Sequence, residues 1–175
     1  DMVSLLLRAS ADVGVEDEDG NTPLLLACRA GHLELAQVLL DKGADASAAN
    51  KRGDTPLLLA CTAGHLEFAQ VLLDKGAEPS AANEQGDTPL LAAVAAGNAQ
   101  LARDLAARGA NVQASRKDGA NVLALALLSK IEACIKFALT QGPKRLKGQD
   151  TLGVRASVQP LAEAFLDPAQ IGAWI

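Results

Sequence analysis

The sequence predicts an all-α fold of stacked helix-turn-helix units, and three observations support this prediction. A segment of 33 residues repeats along the chain, so that residues 17–49 and 50–82 are identical at 25 of 33 positions. Glycines return at the same spacing and mark where short elements end. Hydrophobic residues make up 49% of the chain and aromatic residues only 2%. An apolar content that rests on Ala and Leu favours closely packed helices over strands.

Each repeat begins with a turn that leads into a first helix. In the first full repeat Gly20 provides the positive φ that a tight turn needs. Thr22 is the expected N-cap, and Pro23 takes the first helical position, where its missing N–H costs nothing. We expect this helix to run through residues 24–30 and to end at Gly31.

A second helix is expected at residues 33–41, where apolar side chains have helical spacing, and Gly43 is its expected C-cap. Two helices of this length cannot bury their apolar faces alone, so the pattern predicts stacking on neighbouring repeats. The fourth repeat departs from the pattern. It has Asn121 in place of Thr, where it can still cap a helix, and Lys130 in place of Gly.

The predicted organisation covers the whole chain. It comprises a partial repeat at 1–16 (second helix and exit loop), repeats at 17–49, 50–82 and 83–115, a degenerate repeat at 116–148, and a helical cap or the start of another segment at 149–175. The chain is expected to start inside a repeat, either because the protein extends further or because the first helix is a reduced cap.

Three motifs recur: Gly-x-Thr-Pro-Leu-x-x-Ala, Gly-His-Leu-Glu, and Leu-Leu-x-x-Gly-Ala-Asp or Glu. Together they resemble the ankyrin repeat, which implies an ankyrin-repeat solenoid with β-turn or hairpin loops. The family pattern has a His that links adjacent turns; here Leu25, Leu58 and Leu91 occupy that place, which implies less rigid turns. The resemblance further implies a binding module that holds a partner protein or peptide on the concave surface of the stack.

In proteins that this chain resembles, the turn tips and the exposed face of the first helix form that surface. These are also positions at which the repeats differ from one another. Carried over by motif, the candidate partner-binding residues are Glu18, Asp19, Asn21, Arg29, Lys51, Arg52, Asp54, Thr62, Glu84, Gln85, Asp87 and Lys117. Their charge alternates along the stack, which suggests a partner with a complementary charge ladder or an extended peptide.

The distribution of charge bears on other partners. Residues 1–115 carry a balance of −8, residues 116–149 of +5 and residues 150–175 of −2. The acidic majority would repel nucleic acid and anionic membrane, and we expect no nucleic-acid partner. No apolar run approaches the length of a membrane span. The basic stretch at 144–147 is interpreted as a solvated loop.

No residue set indicates catalysis, a metal or a cofactor. His32 and His65 occupy one slot of the repeat, as do Cys28 and Cys61. Stacked helices lie about 10 Å apart, beyond the reach of a disulfide, so buried free thiols are expected. Cys134 is expected to be buried as well. Reduced cysteines favour an intracellular protein, cytoplasmic or nuclear, and we expect a monomer. The acidic run 16–19 is interpreted as a solvated turn.

Three alternatives stay open besides the binding module. The chain could be a regulatory or positioning segment of a larger enzyme, channel or effector whose active part lies elsewhere. It could be a structural spacer, in which case substitutions at the turn tips would cost no function. Direct enzymatic activity would need a pocket with clustered polar groups, and the sequence offers none that we can assemble.

Overall fold

The structure is a computed structural model that describes residues 12–141, and these residues form two compact units divided after Glu78. The first unit contains helices α1 to α4, at Pro23–Ala30, Leu33–Asp41, Pro56–Ala63 and Leu66–Asp74. The second contains α5 to α8, at Pro89–Ala95, Ala99–Ala107, Val122–Ser129 and Glu132–Thr140. Across residues 12–141 there is no strand, and one isolated bridge joins Ser115 to Asn121. The predicted all-α architecture of helix-turn-helix units is confirmed, whereas the predictions for residues 1–11 and 142–175 fall outside the described part.

The first helix of each pair begins as the sequence predicts. The Thr22 hydroxyl oxygen accepts a hydrogen bond from the Leu25 N–H at 3.3 Å, and Pro23 is the first helical residue. Thr55 and Thr88 repeat this arrangement. Asn121 takes over the role in the fourth repeat, because its side-chain oxygen accepts from the Ala124 N–H at 3.0 Å.

The helix ends show one agreement and two differences. Gly31 closes α1 with a left-handed φ of 73°, as expected. For α2 the C-cap is Lys42, one residue earlier than the predicted Gly43, which follows it with φ of 89°. In the fourth repeat Lys130 keeps the left-handed conformation, with φ of 56°, although it has a side chain. Among the described residues it is the one non-glycine with positive φ.

The core of each unit lies between its helices. In the first unit α1 packs against α3 and each first helix against its own second helix, and in the second unit α5 packs against α7 and α6 against α8. Leu25, Leu58 and Leu91, which replace the histidine of the repeat pattern, are all buried. They therefore add to the apolar core, and the burial of apolar surface is the dominant favourable contribution to folding.

The cysteines are buried and free, as predicted. Burial disfavours the thiolate, and it raises the pKa of Cys28 and of Cys61 to about 12. Burial raises the pKa of Cys134 as well. These thiols act as small core side chains and are not poised as nucleophiles.

Candidate protein-binding surface

The turns of the first unit are fixed by a side-chain carbonyl or carboxylate that accepts from the backbone. Asp17 accepts from the Asn21 N–H at 2.8 Å and from the Asn21 side-chain amide at 3.0 and 3.1 Å. These bonds favour the charged form and lower the pKa of Asp17. One repeat later Asn50 accepts from the N–H groups of Arg52 and Asp54, at 3.0 and 2.9 Å. The same turn geometry is thus built from two different residue types.

Adjacent turns of the first unit are joined by hydrogen bonds. The Asn50 amide donates to the Asn21 side-chain oxygen at 2.9 Å, and the Lys51 N–H donates to the Asp19 carbonyl at 3.0 Å. The Lys51 ammonium also donates to the Glu18 carbonyl at 2.7 Å. A Cβ on Gly20 would lie 3.1 Å from the backbone nitrogen of Lys51, so the close approach of the two turns depends on glycine. These contacts connect the turns where the family pattern would use its His.

The structure separates the predicted residues of this unit into two groups. Asn21 is only 4% exposed and Asp54 only 9%, and the side chains of both are engaged within the turns. They position the turns and present little surface to a partner. The tip residues of the first and second turns are exposed, namely Glu18, Asp19, Lys51 and Arg52.

The first helices add a stripe beside the turn tips. Arg29 on α1 and Thr62 on α3, both predicted, are exposed. One helical turn before Arg29, Leu26 is 39% exposed, and Leu59 in the same repeat position is half-buried. Residues three apart lie on one helix face, so Leu26 adds an exposed apolar side chain next to the charged Arg29. The comparison of varying positions missed it because both repeats have Leu there; the signal that could have found it is the helical spacing from Arg29.

In the second unit the turns around residues 83–87 and 116–120 come together. Glu84, Gln85 and Lys117, all predicted, line one open concavity of about 270 Å³ with Arg116 and Asp118. The Lys117 N–H donates to the Gln85 carbonyl at 2.9 Å. Arg116 is absent from the predicted set, although it directly precedes Lys117 in sequence.

Asp87, the remaining predicted turn residue of this unit, is half-buried and forms an ion pair. Its Oδ1 lies 2.9 Å from Arg116 Nε. Asn83 fixes the turn as Asn50 does, by accepting from the N–H groups of Gln85 and Asp87 at 3.0 and 2.9 Å. Beside the turns, Ala95 on α5 and Leu128 on α7 are exposed at the position that Arg29 has on α1. The surface of this unit therefore combines mixed charge at the turns with small or apolar side chains on the helices.

Within residues 12–141 neither a metal cluster nor a membrane-spanning helix is found. These residues contain no group of three or more His, Cys, Asp or Glu side chains that could hold a metal ion. No helix in the same range is long and apolar enough to cross a membrane. His32 and His65 directly precede α2 and α4, and the His65 ring packs over Gly31.

Comparison with known proteins bears on the repeat itself. A family model for ankyrin repeats (3 copies) matches residues 1–83, and a model for the single ankyrin repeat matches residues 85–118. No curated protein matches the chain significantly.

Proposed function

Because the chain belongs to the ankyrin-repeat family, whose repeats are generally protein-protein interaction modules and typically non-catalytic, we propose that its turn tips and first helices bind a partner protein or peptide. The observation that supports this most is that, in the first unit, buried side chains fix the turns while the side chains at the tips are exposed. Asn50 fixes its turn backbone and donates to Asn21 in the turn before. The tip side chains stay exposed, although the Lys51 ammonium also donates to the Glu18 carbonyl and Arg52 pairs with Asp54 at 3.4 Å. A surface that is ordered before binding loses less conformational entropy when a partner arrives.

The charges and the apolar residue of this surface indicate which side chains a partner should carry. Acidic tips at Glu18 and Asp19 lie next to basic tips at Lys51 and Arg52, and the exposed Leu26 adds an apolar contact on α1. Opposite charges arranged this way set the register of a partner and steer its approach more than they add affinity. We therefore propose a partner segment that carries basic and acidic side chains in turn, with an apolar side chain placed against Leu26.

The test is an affinity capture from native lysate with identification by mass spectrometry. We compare the wild-type chain with Arg29→Glu and with the double variant Lys51→Glu/Arg52→Glu. Lys42→Glu is the matched control, because it reverses one exposed basic charge of the same unit away from the turn tips and the first helices. Circular dichroism of each variant verifies that it is folded.

The expected result is a partner that the wild-type chain and the control capture and that both test variants lose. Equal capture by all four proteins would place binding elsewhere on the chain and contradict the site. Loss on the control alone would likewise overturn the assignment to the turns and first helices.

A further inference from the structure

The second helices of the first unit border a groove that the turn tips and first helices do not reach. In this unit α1 packs closely on α3, whereas α2 and α4 contact their own first helices more than each other. The gap between α2 and α4 is an open groove of about 450 Å³. In the second unit the corresponding helices, α6 and α8, pack against each other.

The lining of this groove is mostly apolar. Leu33 on α2 and Val71 on α4 are half-buried, and Phe68 on α4 is only 2% exposed. Phe68 occupies the repeat position that has Leu35 in the preceding repeat, so the ring is particular to this pair of helices. Leu33 and Val71 keep part of their surface open to solvent, and an apolar occupant would remove that surface from water. Phe68 forms the floor between them.

Two carboxylates line the groove, and they differ from a third carboxylate nearby in their partners. Glu34 and Glu67 lie in the first turns of α2 and α4, both are exposed, and neither has an ion-pair partner among the described residues. Towards the helix C-termini, Asp41 accepts from the Gln37 amide at 2.9 Å and from the Lys75 ammonium at 3.2 Å. The carboxylates of Glu34 and Glu67, which line the groove, are therefore available to a partner, whereas that of Asp41, outside the lining, is already engaged.

We propose that the groove between α2 and α4 is a second docking site, for a short helical segment of a partner protein that presents leucine-like side chains flanked by Lys or Arg. An amphipathic helix laid in an apolar groove is a recurring mode of peptide recognition. The unpaired carboxylates select the flanking charge: a basic segment gains Coulomb attraction at Glu34 and Glu67, and an acidic one is repelled. The inference goes beyond the proposed function, because none of these residues belongs to the turn-tip surface.

The probe for this site is a fluorescein-labelled helical peptide of about 14 residues, or about four turns. Leucines at positions i, i+3 and i+7 form its apolar face, and lysines lie on both flanks. Binding is measured by fluorescence anisotropy on the full chain, at low and at physiological salt. Two companion peptides carry glutamate in place of lysine, or serine in place of leucine.

On the protein side, Glu34→Gln and Glu67→Gln each remove one exposed carboxylate and leave the helix cores untouched. Glu16→Gln is the matched control, because it removes one exposed charge outside the groove. Exposed substitutions of this kind usually change stability little, so the comparison does not depend on a variant that fails to fold.

We expect the lysine peptide to bind the wild-type chain and the control with equal Kd, and each groove variant to raise Kd roughly threefold to tenfold. The difference should shrink at high salt. The glutamate and serine peptides should each bind at least tenfold more weakly.

Equal binding of the two charged peptides, or equal Kd for control and groove variants, would overturn the proposal. Sedimentation that shows self-association abolished by Glu34→Gln would assign the groove to a second copy of the chain and overturn it as well. The peptide assay does not involve the turn tips, so its failure and that of the lysate experiment are distinguishable.

Discussion

At the residue scale, the side chain of Asn50 both fixes its own turn and connects that turn to the one before. Its oxygen accepts two backbone N–H groups within its own turn, and its amide donates to Asn21 in the turn before. A buried polar group that lacks partners is costly, and Asn50 has partners for both its oxygen and its amide. Asp17, in the same position of the first repeat, can only accept, and it uses this capacity on the Asn21 N–H and amide.

Gly31 and Gly64 offer a matched test of a contact between repeats. Both close a first helix with nearly equal φ, 73° and 77°. A Cβ on Gly31 would lie 2.5 Å from His65 Nε2, whereas a Cβ on Gly64 would meet nothing within 4 Å. We expect Gly64→Ala to lose about 1 kcal/mol through the left-handed backbone alone. Gly31→Ala should lose about 1 kcal/mol more, because the His65 ring must move away.

The free energy of unfolding from urea titrations measures both losses. The double variant Gly31→Ala/His65→Ala is compared with His65→Ala alone. If the clash with the ring is the cause, adding Gly31→Ala in that background should cost no more than Gly64→Ala does in the wild-type chain. Equal losses for the two single glycine variants would show that the ring yields without cost.

At the element scale, each first helix is defined by its two ends. A hydroxyl or amide side chain caps the N-terminus of all four. A residue in the left-handed region closes α1, α3 and α7, whereas the C-cap of α5 is Ala96 and Gly97 follows with φ of 77°. The fourth repeat replaces the usual residue at both ends. Asn121 preserves the N-cap bond, so that replacement costs little. Lys130 preserves the conformation but lacks the freedom of glycine, so the C-terminal replacement should carry a cost.

We predict that Lys130→Gly stabilises the chain. A non-glycine residue in the left-handed region is disfavoured by about 1 kcal/mol, and glycine removes that strain at the C-cap. Part of the gain is lost because glycine also increases the freedom of the unfolded chain. The expected net gain is therefore roughly 0.5 kcal/mol, seen as a higher urea midpoint with an unchanged slope. Lys130→Ala is the control: it keeps the strain, and its midpoint should stay near that of the wild-type chain. A gain for alanine as large as that for glycine would point to the lysine charge as the cause.

At the scale of the whole chain, periodicity and end signals were enough to predict the helices of residues 12–141, the N-caps of the first helices and the membership in the ankyrin family, but they placed the C-cap of α2 one residue too late. The repeat pattern shows which residues return in every repeat, and a residue returns where the packing of the helices requires it. It does not report how far apart two neighbouring helices lie, so the groove between α2 and α4 was not predictable. The burial of Asn21 and Asp54 was missed for a related reason: both vary between repeats, yet their side chains bond within and between turns. Leu26 was missed because it does not vary.

The stack itself can be probed through its buried thiols. In arrays of repeats, each repeat contacts only its neighbours, so stability is shared between adjacent repeats. Cys28 on α1 and Cys61 on α3 are both buried, and the pKa of each is raised to about 12, so iodoacetamide near pH ~8 should react only after local opening. Because α1 packs on α3, we expect the two thiols to become reactive at the same urea concentration.

A core substitution between the two thiols makes this prediction quantitative. Leu57 on α3 is fully buried, and Leu57→Ala should destabilise the unit by about 2–5 kcal/mol. If the first two repeats open together, the variant should increase the labelling rates of Cys28 and Cys61 by the same factor, read by mass spectrometry of the modified peptides. Leu26→Ala is the matched control, since that leucine is partly exposed and its loss should change either rate only about twofold. An increase confined to Cys61 would mean that α3 opens while α1 stays folded, and it would contradict coupled opening of the first two repeats.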